Sequence, residues 1–110
     1  MNRSTASQRM AMLKKLLKNV LANREKMQAA LHADYNRHPV ETDLADTWVV
    51  VKELKFAIKN LEQWMQPKTV PTSLVFFGST SEVYYEAKGV VLIVSTWNFP
   101  FNLALSPLVS

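Results

Sequence analysis

The sequence predicts an α/β fold, seen in its N-terminal part: an antiparallel helical hairpin, then short strands, then the opening of a parallel sheet. Three observations carry this. Apolar residues recur at steps of three, four and seven through residues 5–33 and again through 42–66, the spacing of one helix face. After Pro67 that period is lost and β-branched and aromatic residues take over. Val90-Val91-Leu92-Ile93-Val94 is apolar on both faces, as in a parallel strand covered by helices on either side.

The first predicted helix carries Met10, Leu13, Leu17, Val20, Met27 and Leu31 in one stripe, with Leu16 and Leu21 beside it. Thr5 and Gln8 have the spacing of a capping box, each side chain bonding the other's free backbone N–H. Arg24 interrupts the stripe and is expected to lay its stem on the core with its head in water. Asp34 to Glu41 reads as a break, with Asn36, His38 and Pro39 as turn residues. Thr42 is expected to cap the second helix, with Asp43 and Asp46 in its first turn, where negative charge suits the helix dipole. Leu44, Trp48, Val51, Leu54, Ile58, Leu61 and Met65 mark its apolar face, and Pro67 ends it. The short linker between the helices predicts that they pack as an antiparallel pair.

Residues 68–77 are expected to be extended, kept from a central strand by Pro71. Gly78-Ser79-Thr80 is a turn. Ser81 to Glu86 is β-prone, with Glu82, Tyr84 and Glu86 on one side and Val83 and Tyr85 on the other. A second turn, Ala87-Lys88-Gly89, leads into Val90–Val94, and Phe101–Val109 resumes a helical pattern. This is strand, loop, helix start: the first half of a βαβ unit. Such a unit needs about 30 residues or more, and only 22 run from Gly89 to Ser110. The chain therefore reads as the truncated N-terminal part of a larger protein, and residues 67–110 are not expected to form a stable sheet alone.

Composition narrows the function classes. Hydrophobic residues make up 48% and charged residues 20%, a globular balance. There is no cysteine, so the 110 residues hold no thiol nucleophile, disulfide or Cys-based zinc site. No apolar run approaches the ~18 residues of a membrane span. Two glycines, Gly78 and Gly89, do not make a phosphate-cradling loop. His32 and His38 lack the partners of a metal site and read as structural, so no metal is assigned. Tyr84 and Tyr85 have no basic stripe between them, which argues against nucleic acid.

Charge is uneven. Arg3, Arg9, Lys14, Lys15, Lys18, Arg24 and Lys26 against Glu25 alone give residues 1–33 a net +6, while residues 34–110 carry −2. The simple reading is a solvated helix face. An organelle transit segment or a helical hairpin that binds a partner or an anionic surface through residues 3–26 stays open beside it. The interaction-module reading leaves Val90–Val94 and the loop after it unexplained.

That loop, Trp97-Asn98-Phe99-Pro100, is the one candidate site. Open α/β sheets bind ligands at the carboxyl ends of their strands. An Asn amide there has an N–H₂ to donate to a developing oxyanion, with Phe99 and Pro100 fixing its backbone and Trp97 excluding water. The same Asn would serve equally as a cap for the helix that follows, and residue type alone does not separate the two.

The run Gly89-Val90-Val91-Leu92-Ile93-Val94-Ser95-Thr96-Trp97-Asn98-Phe99-Pro100 resembles the first nucleotide-domain strand and loop of the aldehyde dehydrogenase superfamily, G-V-[VA]-x-x-I-x-P-W-N-[FY]-P. The long basic helix, Trp64-Met65-Gln66-Pro67, Val70-Pro71-Thr72 and Tyr85-Glu86-Ala87-Lys88-Gly89 are similar to the segments around it. The closest likeness is to the class 3 or fatty and coniferyl aldehyde branch. The resemblance covers residues 5–110 but only the first part of the family's length.

The resemblance implies three regions: 1–66, the helical hairpin of the cofactor-binding domain; 67–87, bridging and oligomerisation strands; and 88–110, the incomplete start of a Rossmann-like NAD(P)-binding domain. It implies an oxidoreductase that turns aldehydes into carboxylic acids. A cysteine thiolate attacks the carbonyl, an Asn amide and a backbone N–H hold the oxyanion, hydride passes to NAD or NADP, and water activated by a Glu releases the acid. Asn98 matches the oxyanion-stabilising asparagine, and Val94, Ser95, Thr96 and Trp97 match positions that line the cofactor. The nucleophile, the Glu and the cofactor-phosphate loop fall beyond Ser110, so this piece alone is expected to be inactive. The missing remainder of the chain, an aldehyde substrate and a second copy in a homodimer are the implied partners, and the cytoplasm is the implied compartment, with organelle or membrane-surface association left open. One residue departs from the pattern: Thr96 stands where the family has Pro, giving up a locked φ and adding a donor just before Asn98.

Overall fold

The computed structural model describes residues 4–110, so Arg3 of the basic stretch lies outside them. The order is α1 (Ala6–Ala22), α2 (Arg24–Tyr35), α3 (Pro39–Thr42), a π-helical turn (Asp43–Thr47), α4 (Trp48–Trp64), β1 (Lys68–Val70), a 3-10 turn (Leu74–Phe76), β2 (Ser81–Val83) and α5 (Pro100–Val109). No helix among the described residues is long and apolar enough to cross a membrane.

The capping box starts α1 as expected: Thr5 N–H donates to Gln8 Oε1 at 2.9 Å and Gln8 N–H to Thr5 Oγ1 at 3.2 Å. The single long helix expected over 5–33 is instead two. Asn23 (φ −104°, ψ 11°) leaves helical geometry, and its side-chain N–H₂ donates to the Asn19 carbonyl at 2.8 Å. Asparagine offers the backbone a local alternative to the helix ladder, which periodicity does not register. Arg24, next in line, stays half exposed as expected, but its head is paired. Its Nε donates to Asp43 Oδ1 at 2.8 Å and its Nη2 to Asp43 Oδ2.

Asn36 ends α2 in the left-handed region (φ 54°), a conformation its short polar side chain tolerates. His38 then turns extended before Pro39, and its Nδ1 accepts the Val40 N–H at 3.2 Å, so His38 caps α3. The cap expected at Thr42 is therefore four residues late: Thr42 is already helical and buried. The π turn that follows also corrects the predicted core. A π turn carries one residue more than an α turn, about 100° of rotation for everything upstream of it. Leu44 is consequently 67% exposed and Trp48 about half exposed, while Thr42, Asp43, Asp46 and Thr47 face inward. Beyond the turn, Val50, Val51, Leu54, Ala57 and Leu61 form the buried face.

The core sits where α4 packs against α1 and α5. Val20, Val50, Val51 and Leu54 are its buried centre, closed by Leu13, Leu16, Leu17, Leu105 and Val109. β1 and β2 pair antiparallel, Lys68 opposite Val83, Thr69 opposite Glu82 and Val70 opposite Ser81. Gly78 (φ 88°) supplies the positive φ of the turn leading to β2. The side-by-side placement expected of Glu82 and Tyr84 holds: Tyr84 Oη donates to Glu82 Oε2 at 2.7 Å, and the neighbouring carboxylate raises the Tyr84 pKa.

The predicted strand Val90–Val94 is not formed. The segment lies outside any strand, with Val90, Val91, Leu92 and Val94 exposed. A strand needs a neighbour to take its backbone N–H and C=O groups, and the described residues pair only β1 with β2. The helix after it is present. Pro100 opens α5 at a position where its missing N–H costs nothing.

Candidate functional site

The Trp97-Asn98 turn sits between the extended segment and α5. Asn98 is exposed and does not cap α5. Phe99 holds the N-cap position without a side-chain bond, and its carbonyl accepts the Leu103 N–H at 2.9 Å. The Asn98 side chain turns back instead, its Oδ1 accepting the hydroxyl of Thr96. An amide whose oxygen is engaged this way presents its N–H₂ on the other side. Thr96, the residue that departs from the expected Pro, thus uses its extra donor on Asn98 itself.

The backbone of the turn is held from beneath. Arg37 donates through Nη2 to the Asn98 carbonyl and through Nη1 to Asp46 Oδ2 at 3.0 Å. Its guanidinium lies 5.1 Å from the Phe99 ring centroid and 5.8 Å from that of Tyr35, within cation–π range. Nε faces Glu41 at 3.8 Å. The other oxygen of Asp46 accepts the Asn102 backbone N–H at 2.8 Å, a free donor in the first turn of α5. Asn102 in turn donates its Nδ2 to the Ala45 carbonyl at 3.0 Å and accepts Ser106 Oγ at 2.9 Å. The Asp46 side chain is 0% exposed and that of Arg37 10%.

Sequence reading missed Arg37 and Asn102 and gave Asp46 only a dipole role. Arg37 and Asn98 are 61 residues apart, so no local pattern joins them. The one available signal is two acids, Asp43 and Asp46, on what proves an inward face of the helix.

Of the other site candidates, Val94 and Thr96 are exposed, Ser95 half-buried, and Trp97 79% exposed. Trp97 is too exposed within these residues to exclude water as expected. The four are consecutive at the end of an apolar segment and mostly exposed, the accessibility that one side of a dinucleotide would require. The start of α5 does not fit its phosphates: Pro100 has no N–H, and the Asn102 N–H is already taken by a carboxylate.

The family model described as Aldehyde dehydrogenase family matches residues 1–110. The chain belongs to the aldehyde dehydrogenase family. It is similar to the aldehyde dehydrogenase of Craterostigma plantagineum, 39% identical over 101 residues that cover 92% of this chain and 21% of that one. Aldehyde dehydrogenase family 3 member H1 of Arabidopsis thaliana is 34% identical over the same shares. A solved structure described as the substrate-bound state of Staphylococcus aureus AldH superposes with a TM-score of 0.91 at 33% identity, covering 96% of this chain and 23% of that one. These matches bear out an aldehyde dehydrogenase fold over part of the family's length, and the likeness to family 3. The chain spans about a fifth of the length of the curated relatives it matches.

Proposed function

We propose that this chain is the part of an NAD(P)-dependent aldehyde dehydrogenase that supplies the side-chain donor of the oxyanion site. The observation that carries the reading is the state of Asn98: its Oδ1 is bound by Thr96 and its backbone by Arg37, which leaves Nδ2 as the group presented outward. During attack on an aldehyde the carbonyl oxygen gains negative charge, and a donor already aimed at it needs no reorganisation. Val94, Ser95, Thr96 and Trp97 form the edge against which NAD or NADP would lie, and the cofactor when bound takes the hydride. Its phosphates are assigned outside these residues, because the α5 N-terminus is occupied by Asp46. Residues 1–66, 67–87 and 88–110 divide the work: a helical support, a ribbon with exposed Leu74, Val75, Phe76 and Phe77 that meets a second copy in a dimer, and the start of the cofactor domain.

The test is Asn98→Ala in the full-length protein that carries this segment. Loss of one oxyanion donor should lower turnover by about 10²–10³, with cofactor affinity little changed. Unchanged turnover would remove Asn98 from the chemistry. The 110-residue chain alone, having no cysteine, should form no NADH when given benzaldehyde and NAD. Aldehyde-dependent NADH from it would overturn the thiolate reading.

A further inference from the structure

We infer that Arg37 and Asp46 are positioning residues for Asn98, joining the oxyanion turn to the start of α5 through one buried ion pair. This rests on the reading of Asn98 above. A guanidinium presents several N–H groups in a fixed plane. One arm of Arg37 reaches the Asn98 carbonyl, and the other reaches Asp46. Asp46 uses its second oxygen on the Asn102 N–H. The turn and the helix after it are thereby tied to the same carboxylate, on opposite sides of Phe99 and Pro100. Phe99 lies against the guanidinium, which fixes the plane of the fork.

The arrangement accounts for the polar inward face of the π turn. A continuous α-helix would bring Leu44 and Trp48 toward the core, where neither offers an acceptor to a helix N-terminus. The extra residue instead puts Asp46 beneath α5, with Ala45 contributing its carbonyl to Asn102. Thr96 sets which way the Asn98 amide faces, and Arg37 sets where the turn carrying it stands. Neither Arg37 nor Asp46 touches the reacting atoms; both act through Asn98.

The experiment is a double-mutant cycle in the full-length protein, with benzaldehyde as substrate and NAD and NADP assayed side by side. Arg37→Lys keeps a positive charge near Asp46 but removes the fork. It should lower kcat by about 10–100-fold, the scale of a small misplacement of a catalytic group, with KM for the aldehyde nearly unchanged. In the Asn98→Ala background the same substitution should have almost no further effect on kcat, because the group it positions is gone. Asp46→Asn keeps an acceptor for the Asn102 N–H and loses the charge holding Arg37. It should show the same dependence on Asn98, and it stands in if Arg37→Lys does not fold. An equal loss of kcat in both backgrounds, or no loss in either, would make the pair purely structural and overturn the inference while leaving Asn98 in the mechanism. If Asn98→Ala itself leaves kcat unchanged, the reading of Asn98 fails and the inference falls with it.

Discussion

Asp43 is buried, and its carboxylate is gripped at both oxygens by Arg24. The hydrogen bonds from Arg24 hold its pKa below the ordinary carboxylate value, outweighing the opposing effect of burial. A folded-state pKa lower than the unfolded one means that the folded chain binds this proton more weakly. The stabilisation is therefore fully present above the unfolded value of about pH 4 and is lost as pH falls through the lower folded value. Asp43→Asn should flatten the acid limb of stability against pH, measured by urea unfolding of this chain in steps below about pH 4.5. An acid limb parallel to that of the unmodified chain would show that Asp43 contributes nothing to it. At this scale the sequence was readable where a residue acts on its near neighbours. Thr5 with Gln8, Asn36, His38 before Pro39, and Glu82 with Tyr84 all stand as spacing predicts. Arg24 and Arg37 were not readable, because their partners lie 19 and 61 residues away and a charged side chain carries no periodicity.

The elements show where periodicity itself misleads. The α4 stripe holds from Val51 to Leu61, with Ile58 half-buried; it fails at Leu44 and Trp48, which lie within or next to a turn that holds one residue more, and at Met65, exposed past the end of α4. The difference is measurable. Leu54 is wholly buried in the contact of α4 with α1 and α5, so Leu54→Ala should cost about 2–5 kcal/mol, the transfer of its side chain plus the cavity left behind. Leu44→Ser, at a position the spacing assigns to the same face, should stay within about 0.5 kcal/mol, as exposed substitutions do. Equal losses at the two positions, from denaturant midpoints of this chain, would mean that the π turn does not set the face. The turn has a chemical counterpart in the site. Two of the inward residues it provides, Asp43 and Asp46, are acids, and they meet two arginines and the N-terminus of α5 rather than an apolar surface. The site was thus half legible: Asn98 could be named from its motif, its support could not.

The molecule as a whole is extended, 64 Å by 25 Å by 25 Å, with a radius of gyration of 18.7 Å, against about 13 Å for a compact domain of this length. The excess comes from where the apolar surface is spent. The helices bury theirs in one cluster, whereas Leu74 to Phe77 and most of Val90 to Val94 remain exposed. A run apolar on both faces is suited to the middle of a parallel sheet, and the solved structure on which this chain superposes is over four times as long. Sequence pattern predicts a covered parallel strand at Val90–Val94, and among the described residues the run forms no strand. Amide hydrogen exchange separates the two conditions. In this chain the amides of Val50, Val51 and Leu54 should be the most protected, their helix bonds lying against the core, while those of Val91 to Val94 should exchange at close to unfolded rates. In the full-length protein the latter group should become protected, because each N–H gains a carbonyl across a sheet. Protection of Val91 to Val94 already in the short chain, at dilutions that prevent association, would show that the segment finds a partner within these residues, and the unpaired strand would have to be redrawn.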